Sequence, residues 1–264
     1  MPDMSPRIAI CRHAAADDRR AVALARQDAR PGIEASLFHD APLEHAASAS
    51  LLNSPELPVR YHFPLGALEL SGPCETLASQ TLLTMMHAVR AIGSVGGSYL
   101  TVHAALPSDA RGTFRAAQTA ARLRELVQEG ASCGVTVALE NLRWGLTSEP
   151  DAFLSLVESS GAAVTIDVGH ATSSDASATG FSAERFVREC GSRVAHAHVY
   201  DRETDRHHPP LDLERIGPAL DALCDVGCPW WTIELFDEAE VRATHALLVG
   251  FLAERYPDRG VICA

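Results

Sequence analysis

The chain has 264 residues, 47% of them hydrophobic, which is typical of a soluble globular protein with a large core. Its 34 acidic and 22 basic residues give a net charge of −12, which disfavours nucleic acid as a partner. No apolar run reaches the roughly 18 residues of a membrane span, so a membrane-spanning helix is excluded. The first residues enter an apolar strand pattern without the features of a secretory signal, so we expect a cytoplasmic protein.

The chain contains no lysine, and all 22 basic residues are arginine. This absence excludes Schiff-base chemistry, Walker-type phosphate binding and a lysine general base. The seven cysteines are odd in number and scattered, which indicates reduced thiols rather than a disulfide framework. Any chemistry is therefore expected from histidine, carboxylates, arginine or a metal ion.

Short apolar runs alternate with longer amphipathic segments along the whole chain. The expected strands are Pro6–Arg12, Gly32–Phe38, Pro58–Leu65, Ser98–Ala105, Thr136–Leu142, Ala163–Ala171, Val194–Asp201 and Trp230–Phe236. The expected helices are Asp18–Asp28, Cys74–Gly93, Thr113–Gly134, Glu149–Ser160, Ser182–Gly191, Asp212–Gly227 and Glu238–Arg255. Strand–helix units in this number predict an α/β protein, a single (β/α)8 TIM barrel over residues 1–264. A doubly wound sheet is the alternative, but no GxGxxG or GxxxxGK loop follows the first strand.

Side chains with metal-ligand chemistry stand at the carboxyl ends of the predicted strands or in the loops that follow. They are His62, His103, Glu140, Asp167, His170, His198, Asp205, His207 and Glu234. Because the carboxyl ends of all strands of a TIM barrel meet on one face, these residues are predicted to form one cluster there, where barrel active sites are built. Asp205 and His207 have the i, i+2 spacing that puts two side chains on one side of an extended chain.

Imidazole nitrogens and carboxylate oxygens are the ligands of zinc, manganese, iron and cobalt in proteins. Buried carboxylates that lie close together repel one another, and a bound cation removes that cost. Strands five to eight supply the expected ligands of a first ion, namely Glu140, Asp167, His198 and Glu234. The other five candidates can supply a second or third ion, so we expect one to three divalent metal ions per chain.

Other residues near the predicted cluster are candidates for supporting roles. Those that could bind the substrate are Arg143, Trp144, Arg202 and Arg206. His196 precedes His198 by two residues, and we interpret it as a support of the site rather than a direct ligand. Glu34, on the second strand, either points into the barrel mouth or caps a layer of side chains.

The motifs of the second half of the chain resemble those of a known superfamily. They are Glu140-Asn141, Asp167-Val168-Gly169-His170, His196-Ala197-His198-Val199-Tyr200-Asp201, Asp205-Arg206-His207 and Glu234. With these motifs the sequence resembles the xylose isomerase-like TIM-barrel superfamily, which includes endonuclease IV, tagatose-type epimerases and inosose-type isomerases. The resemblance covers most of the chain from His62 onward.

The resemblance implies two different sites. In the epimerases, residues like Glu140, Asp167, His198 and Glu234 hold one metal ion. The two glutamates also move the proton, and a histidine like His170 contacts the substrate. In endonuclease IV a fuller set, with residues like His62, His103, Asp205 and His207, holds three metal ions for phosphodiester hydrolysis.

Since this sequence keeps the fuller set, our main expectation is hydrolysis of a small phosphoester, a sugar phosphate or a nucleotide-like substrate, by a metal-bound hydroxide. Glu140 would orient the nucleophile, and the loop arginines would bind the phosphate in a fork. The small substrate is preferred over DNA because of the acidic charge.

The alternative is a sugar or sugar-phosphate isomerase or epimerase, in which Glu140 and Glu234 act as acid and base on a metal-stabilised enediolate. A minor alternative is a non-catalytic protein that binds metal or sugar. One metal ion per chain would favour isomerisation, and two or three would favour hydrolysis. A homodimer is the base expectation for the oligomeric state.

Overall fold

The computed structural model describes residues 5–15, 18–28, 30–37, 57–63, 69–72, 74–178 and 180–257. In these residues eight parallel strands close into a barrel, which confirms the predicted (β/α)8 architecture. The barrel strands are β1 (Arg7–Cys11), β2 (Ile33–Ser36), β3 (Val59–His62), β4 (Tyr99–Val102), β5 (Thr136–Glu140), β6 (Ala163–Asp167), β7 (Val194–Val199) and β10 (Trp230–Ile233). A short antiparallel hairpin of β8 (Arg202–Glu203) and β9 (His207–His208) follows β7, and β10 closes the ring against β1.

Helices surround the barrel, and several of them begin at a side-chain cap. They are α1 (Asp18–Ala25), α2 (Glu75–Ser94), α3 (Phe114–Ser132), α4 (Pro150–Ser160), α5 (Val168–Ser173), α6 (Asp175–Ala178), α7 (Ala183–Cys190), α8 (Gly217–Asp225) and α9 (Glu238–Arg255). Thr113, Ser182 and Asp237 accept hydrogen bonds from backbone N–H groups in the first turns of α3, α7 and α9. None of the described helices has the length and apolarity needed to cross a membrane.

Each predicted strand contains an observed one, although Phe38, Pro64 and Leu65 lie outside the described residues. The largest difference is at Ala163–Ala171, where the strand ends at Asp167 and α5 follows directly. Asp167 ends the strand because its side chain accepts a hydrogen bond from the His170 backbone N at 2.6 Å, which caps α5. The β8–β9 hairpin was not predicted, and the extent of the domain, 1–264, stays a prediction.

The apolar core lies between the barrel wall and the helices. Successive side chains of a strand point to opposite faces, and one face of each strand carries buried aliphatic residues such as Ile8 and Ile10 of β1. Trp231 of β10 is fully buried in this layer, with its ring 6.3 Å from that of Phe251 in α9. The helices are thereby fixed on the outside of the barrel, and the lumen is left to the other face of each strand.

The lumen is polar. Thr101 Oγ1 of β4 lies 3.0 Å from Thr165 Oγ1 of β6 although β5 runs between the two strands, so both hydroxyls point inward. At the amino-terminal end of the barrel, the Arg60 guanidinium lies over the rings of Tyr99 and Trp230, 4.0 and 4.6 Å from their centroids. Buried polar and titratable side chains therefore continue through the lumen to the opposite, carboxyl-terminal rim.

A bulge in β7 sets the depth of the two strand histidines. Val164 pairs with Val194 but Thr165 pairs with His196, so Ala195 is an extra residue in β7. Arg60 donates a hydrogen bond to the Ala195 carbonyl at 2.7 Å, which satisfies the backbone group that the bulge exposes.

The cysteines within the described residues are free thiols, which agrees with the expected reduced state, and Cys263 lies outside the described residues. Burial raises the pKa of Cys190 and Cys228 to about 12, so both thiols stay protonated at neutral pH.

Asp28 connects the segment after α1 to the last helix. Its two carboxylate oxygens accept hydrogen bonds from the Arg30 backbone N at 2.6 Å and from His245 Nε2 at 2.9 Å. Partial burial raises the pKa of Asp28, but the hydrogen bonds from His245 and the Arg30 backbone outweigh it and bring the pKa below its usual value. A lowered folded-state pKa stabilises the fold above the unfolded-state pKa, and this contribution is lost as the pH falls through the folded-state value.

We therefore expect Asp28→Asn to lower the free energy of unfolding by about 1–2 kcal/mol at pH 7, because an amide offers one acceptor oxygen in place of two. The difference from the wild type should narrow as the pH falls below about 4, because the unfolded wild-type chain then binds a proton on Asp28 and the folded chain does so only at lower pH. Urea unfolding at a series of pH values measures both effects. The exposed Asp109→Asn is the control and should stay within about 0.5 kcal/mol of the wild type; a constant difference for Asp28→Asn down to pH 3 would contradict the prediction.

Candidate active site and metal centre

The structure brings together the four residues expected to hold a first metal ion. Each of Glu140, Asp167, His198 and Glu234 offers a ligand atom within 4.8 Å of the atoms of the other three. His198 Nδ1 lies 3.3 Å from Glu140 Oε1, 3.8 Å from Asp167 Oδ2 and 3.4 Å from Glu234 Oε2. We call this set the central group. Its three carboxylates lie at the carboxyl ends of β5, β6 and β10. His198 lies on β7, where it pairs with Asp167 of β6.

The central group has the spacing and the unpaired atoms that a divalent cation requires. Two ligand atoms that are each about 2.1 Å from a tetrahedral zinc lie about 3.4 Å apart, close to the measured nitrogen–oxygen distances. Both Glu140 oxygens, Asp167 Oδ2 and His198 Nδ1 are buried without a hydrogen-bond partner. Because buried polar atoms are nearly always paired, these orphaned atoms fit a cation that they would share.

A second group shares Glu140 with the first. His62 Nε2 lies 3.3 Å and His103 Nε2 3.2 Å from Glu140 Oε2, and the two Nε2 atoms are 3.3 Å apart. Glu140 Oε1 faces the central group, so the two oxygens of one carboxylate serve different groups. We call His62, His103 and Glu140 the lateral group; a carboxylate that faces two neighbouring ligand sets is the arrangement found in two-metal sites.

A third group lies nearer to solvent and differs from the expectation. His170, Glu203 and His207 offer ligand atoms within 4.8 Å of one another, with His170 Nε2 3.2 Å from Glu203 Oε2. The structure does not bring Asp205 into this group, because its side chain is 87% exposed and accepts a hydrogen bond from Thr204 Oγ1. Asp205 lies at the tip of the hairpin, whereas Glu203 pairs directly with His207 across the two strands.

Sequence reasoning missed Glu203 because it treated the loop after β7 as extended. The available signal was the run of polar residues on both sides of Thr204, which is typical of a tight turn. A hairpin brings residues on the two sides of its turn together, so an i, i+2 pair such as Asp205 and His207 need not share a site.

Asn141 and Gly169 explain how the loop motifs position their neighbours. The Asn141 side chain donates to the Asp167 carbonyl at 3.0 Å and accepts from the Asp167 N–H at 2.8 Å, which joins β5 to β6. His170 Nδ1 lies 2.9 Å from the Asn141 carbonyl. A Cβ on Gly169 would lie 2.0 Å from the Tyr200 ring, and that ring stacks on His207 at 4.0 Å.

The surroundings shift the pKa values of the two glutamates of the central group in opposite directions. Burial raises the pKa of Glu140, but the charges of His198, His103 and His62 outweigh it and hold the pKa well below its usual value. Burial also raises the pKa of Glu234, and repulsion from Glu140 and Asp167 keeps it well above its usual value despite His198. The surroundings therefore give the two neighbouring carboxyl groups different proton affinities.

The charge state of two histidines is also set by their surroundings. Burial lowers the pKa of His170, but Asp167, Glu203 and Glu140 outweigh it and raise the pKa to about 10, so the ring is a cation at neutral pH. Burial lowers the pKa of His196 to about 3, and this ring is neutral.

The match to a family model agrees with the fold. Residues 19–251 match the model described as xylose isomerase-like TIM barrel. The chain belongs to this family. The uncharacterized protein MJ0008 of Methanocaldococcus jannaschii is 31% identical over 158 residues, which are 60% of this chain and 68% of that protein.

Solved structures with similar folds include two that are named after sugar epimerases. A D-tagatose 3-epimerase-like protein superimposes with a TM-score of 0.77 at 17% identity, covering 96% of this chain and 99% of its own. An L-ribulose 3-epimerase superimposes with a TM-score of 0.74 at 16% identity, covering 98% of this chain and 99% of its own. At these identities the likeness shows the shared fold.

The arginines expected to bind substrate in this xylose isomerase-like barrel are engaged by acidic partners. Arg206 forms two hydrogen bonds of 2.9 Å with Glu240 and is half-exposed. Arg143 lies 3.5 Å from the Glu203 carboxylate, and Arg202 lies 3.6 Å from that of its neighbour Asp201. Trp144, 41% exposed, lies in the loop after β5, and its role as a wall of the substrate pocket stays a prediction.

We expect Gly169→Ala to lower the free energy of unfolding by about 1–3 kcal/mol, since the new methyl group meets the Tyr200 ring. Gly250→Ala, in the exposed part of α9 with open space around it, is the control and should raise stability by up to about 1 kcal/mol. Urea unfolding of both variants tests the pair, and a Gly169→Ala protein as stable as the wild type would show that Tyr200 does not pack on this glycine.

Proposed function

We propose that this protein is a divalent-metal-dependent sugar epimerase or isomerase that moves a proton between carbons with Glu140 and Glu234. The observation that carries the proposal is the central group, in which Glu140 and Glu234 lie with His198 and Asp167 at the spacing of ligands around one cation. The names of the structural neighbours, D-tagatose 3-epimerase-like protein and L-ribulose 3-epimerase, support the same class of reaction. They favour the isomerase alternative over the hydrolase that the fuller ligand set suggested.

The central group would hold the cation, and a cation there supplies a Lewis acid for the carbonyl and hydroxyl oxygens of a ketose. Glu140, ionised, accepts the proton from the carbon next to the carbonyl. Glu234, protonated, returns a proton to the carbon skeleton, and the two residues exchange roles in the reverse direction. His170 lies at the rim, 3.2 Å from Glu203, where it would contact the substrate.

We further propose that the substrate is an unphosphorylated sugar. Binding of a phosphate calls for arginine donors that are free to form a fork, but Arg143, Arg202 and Arg206 already face Glu203, Asp201 and Glu240.

Phosphoester hydrolysis is the second candidate, and one observation favours it. The two oxygens of Glu140 face two different ligand groups, as a carboxylate does between the ions of a two-metal hydrolase. A substrate test therefore needs both reaction classes in the same experiment.

We expect the protein, loaded with Mn2+ or Zn2+, to incorporate deuterium next to the carbonyl of at least one ketose in deuterated water, as measured by NMR. A chelator should abolish this exchange, and Glu140→Gln and Glu234→Gln should each reduce its rate by about 10²-fold or more. Glu158→Gln, an exposed residue paired with Arg193, is the control and should exchange at the wild-type rate. Turnover of an aryl phosphate without any ketose exchange would overturn the epimerase proposal in favour of hydrolysis.

For the best ketose, we expect kcat/KM to exceed that of its phosphate ester by at least about tenfold, because the loop arginines are already paired. Arg206→Gln should leave kcat/KM for the ketose within about twofold of the wild type, since this side chain binds Glu240. A preference for the phosphate ester that is lost in Arg206→Gln would contradict both statements.

A further inference from the structure

Glu34 is a buried carboxylate that neither the ligand motifs nor the proposed mechanism uses. It lies on β2, its residue is 2% exposed, and its side chain points into the lumen beneath the central and lateral groups. The sequence left open whether Glu34 points into the barrel or only caps a layer of side chains. Its carboxylate reaches His198 on β7, so the side chain points into the barrel. A charged group in this position requires a reason, since burial of an unpaired carboxylate is costly.

Three imidazole rings surround Glu34. Its Oε1 lies 2.9 Å from His198 Nε2 and 3.2 Å from His62 Nδ1. Its Oε2 lies 3.0 Å from His196 Nε2 and 3.1 Å from His198 Nε2. The carboxylate therefore accepts from one nitrogen of His198 and one nitrogen of His62, and in each ring the other nitrogen remains for a different partner.

The other nitrogens are those that face the candidate metal groups. His198 Nδ1 points at the carboxylates of the central group, and His62 Nε2 points at Glu140 and His103 in the lateral group. A neutral imidazole carries one N–H and one lone pair, so an N–H directed at Glu34 leaves the lone pair on the nitrogen that faces the metal group. The two histidines would use opposite tautomers, with the proton on Nε2 of His198 and on Nδ1 of His62.

The distances separate a hydrogen-bonding role for Glu34 from a ligand role. The contacts of Glu34 with the ring nitrogens, 2.9–3.2 Å, lie in the range of N–H···O hydrogen bonds. The contacts of His198 Nδ1 with the central carboxylates, 3.3–3.8 Å, are longer and match the separation of two ligands on one ion. Glu34, His62 and His198 also have the spacing of a metal group, so metal binding must be measured to tell whether Glu34 is itself a ligand.

Residues beneath Glu34 hold it in place. His196 Nε2, which contacts Glu34 Oε2, also lies 2.7 Å from Thr232 Oγ1. Trp230 Nε1 donates a hydrogen bond to the same hydroxyl at 3.1 Å. His196, which the sequence suggested as a support, thus contacts the Glu34 carboxylate directly, and its ring also packs edge-on against that of His198 at 5.0 Å.

We propose that Glu34 is the positioning residue of the metal centre: by accepting hydrogen bonds from His198 and His62 it selects the nitrogen that each ring offers, and it thereby couples the central and lateral groups. This proposal depends on the cation that the proposed function places in the central group and on a second cation in the lateral group, but not on the reaction catalysed. Because one carboxylate orients a ligand of each group, loss of its charge should weaken metal binding by both groups together.

The test is metal binding by Glu34→Gln, measured by competition with a chromophoric chelator and by elemental analysis of the purified protein. We expect the dissociation constants of the central and lateral ions to rise by about 10–100-fold, as is typical when the partner of a ligand histidine is removed. NMR of the zinc-loaded wild type with labelled histidine should show His198 protonated at Nε2 and His62 at Nδ1, and Glu34→Gln should lose this pattern. Glu34→Asp, which keeps the charge but shortens the side chain, should bind with intermediate affinity.

Thr101→Val is the matched control, because it also changes a buried polar side chain of the lumen, and the hydrogen bond that it removes is one to Thr165, which is not a candidate ligand. It should change stability while its metal affinities stay within about twofold of the wild type. Circular dichroism and thermal unfolding verify that each variant is folded, and if Glu34→Gln does not fold, the comparison rests on Glu34→Asp and on the NMR pattern of the wild type.

Two results would overturn the positioning role. Wild-type affinity for both ions in Glu34→Gln would show that the hydrogen bonds are dispensable, and loss of one whole equivalent with no change in the other would make Glu34 a ligand. A wild type that binds no divalent cation would overturn both this role and the proposed function. A wild type that binds metal but exchanges no ketose proton would overturn the proposed function and leave the role of Glu34 intact.

Discussion

The cost of burying carboxylates close together dominates the carboxyl-terminal end of this barrel. Glu34, Glu140, Asp167 and Glu234 are each at most 8% exposed, and they come from four different strands or strand ends. Without compensation such a set would repel itself and take up protons. Histidines from β3, β4 and β7 lie between the carboxylates, and a divalent cation would offset the remaining negative charge. The buried positions of these acids are therefore best understood as one unit rather than as separate side chains.

Closure of the barrel is what makes this unit possible. Glu34 and His198 are 164 positions apart in the chain, yet their side chains lie within hydrogen-bond distance because β2 and β7 face the same narrow lumen. The bulge at Ala195 places His198 beside Asp167, and Arg60 stabilises the bulge from inside the barrel. The parallel order of the strands alone would bring the ligands to one rim, but the depth of the β7 histidines depends on this local irregularity.

The sequence predicts the barrel and the central group well, because apolar runs reveal the strands and parallel strands bring their carboxyl ends together. It does not reveal that Glu203, and not Asp205, lies with His170 and His207 in the third group, since that arrangement depends on the tight hairpin between β8 and β9. It also leaves the role of Glu34 open, because the partners of a lumen residue depend on the register between strands that are not neighbours. Local patterns therefore identify the element to which a residue belongs, and tertiary register decides which residues it meets.

The uneven distribution of histidines around the rim accounts for the difference between the two glutamates. Glu140 lies at 3.2–3.3 Å from ring nitrogens of His62, His103 and His198. Glu234 lies farther from its histidines, 3.4 Å from His198 Nδ1 and 3.6 Å from His62 Nδ1, and it faces the negative charge of the other acids. The histidines that contact Glu140 thus lie mainly on the β3 and β4 side of the rim. Two chemically identical side chains therefore differ in proton affinity because of their positions in the barrel.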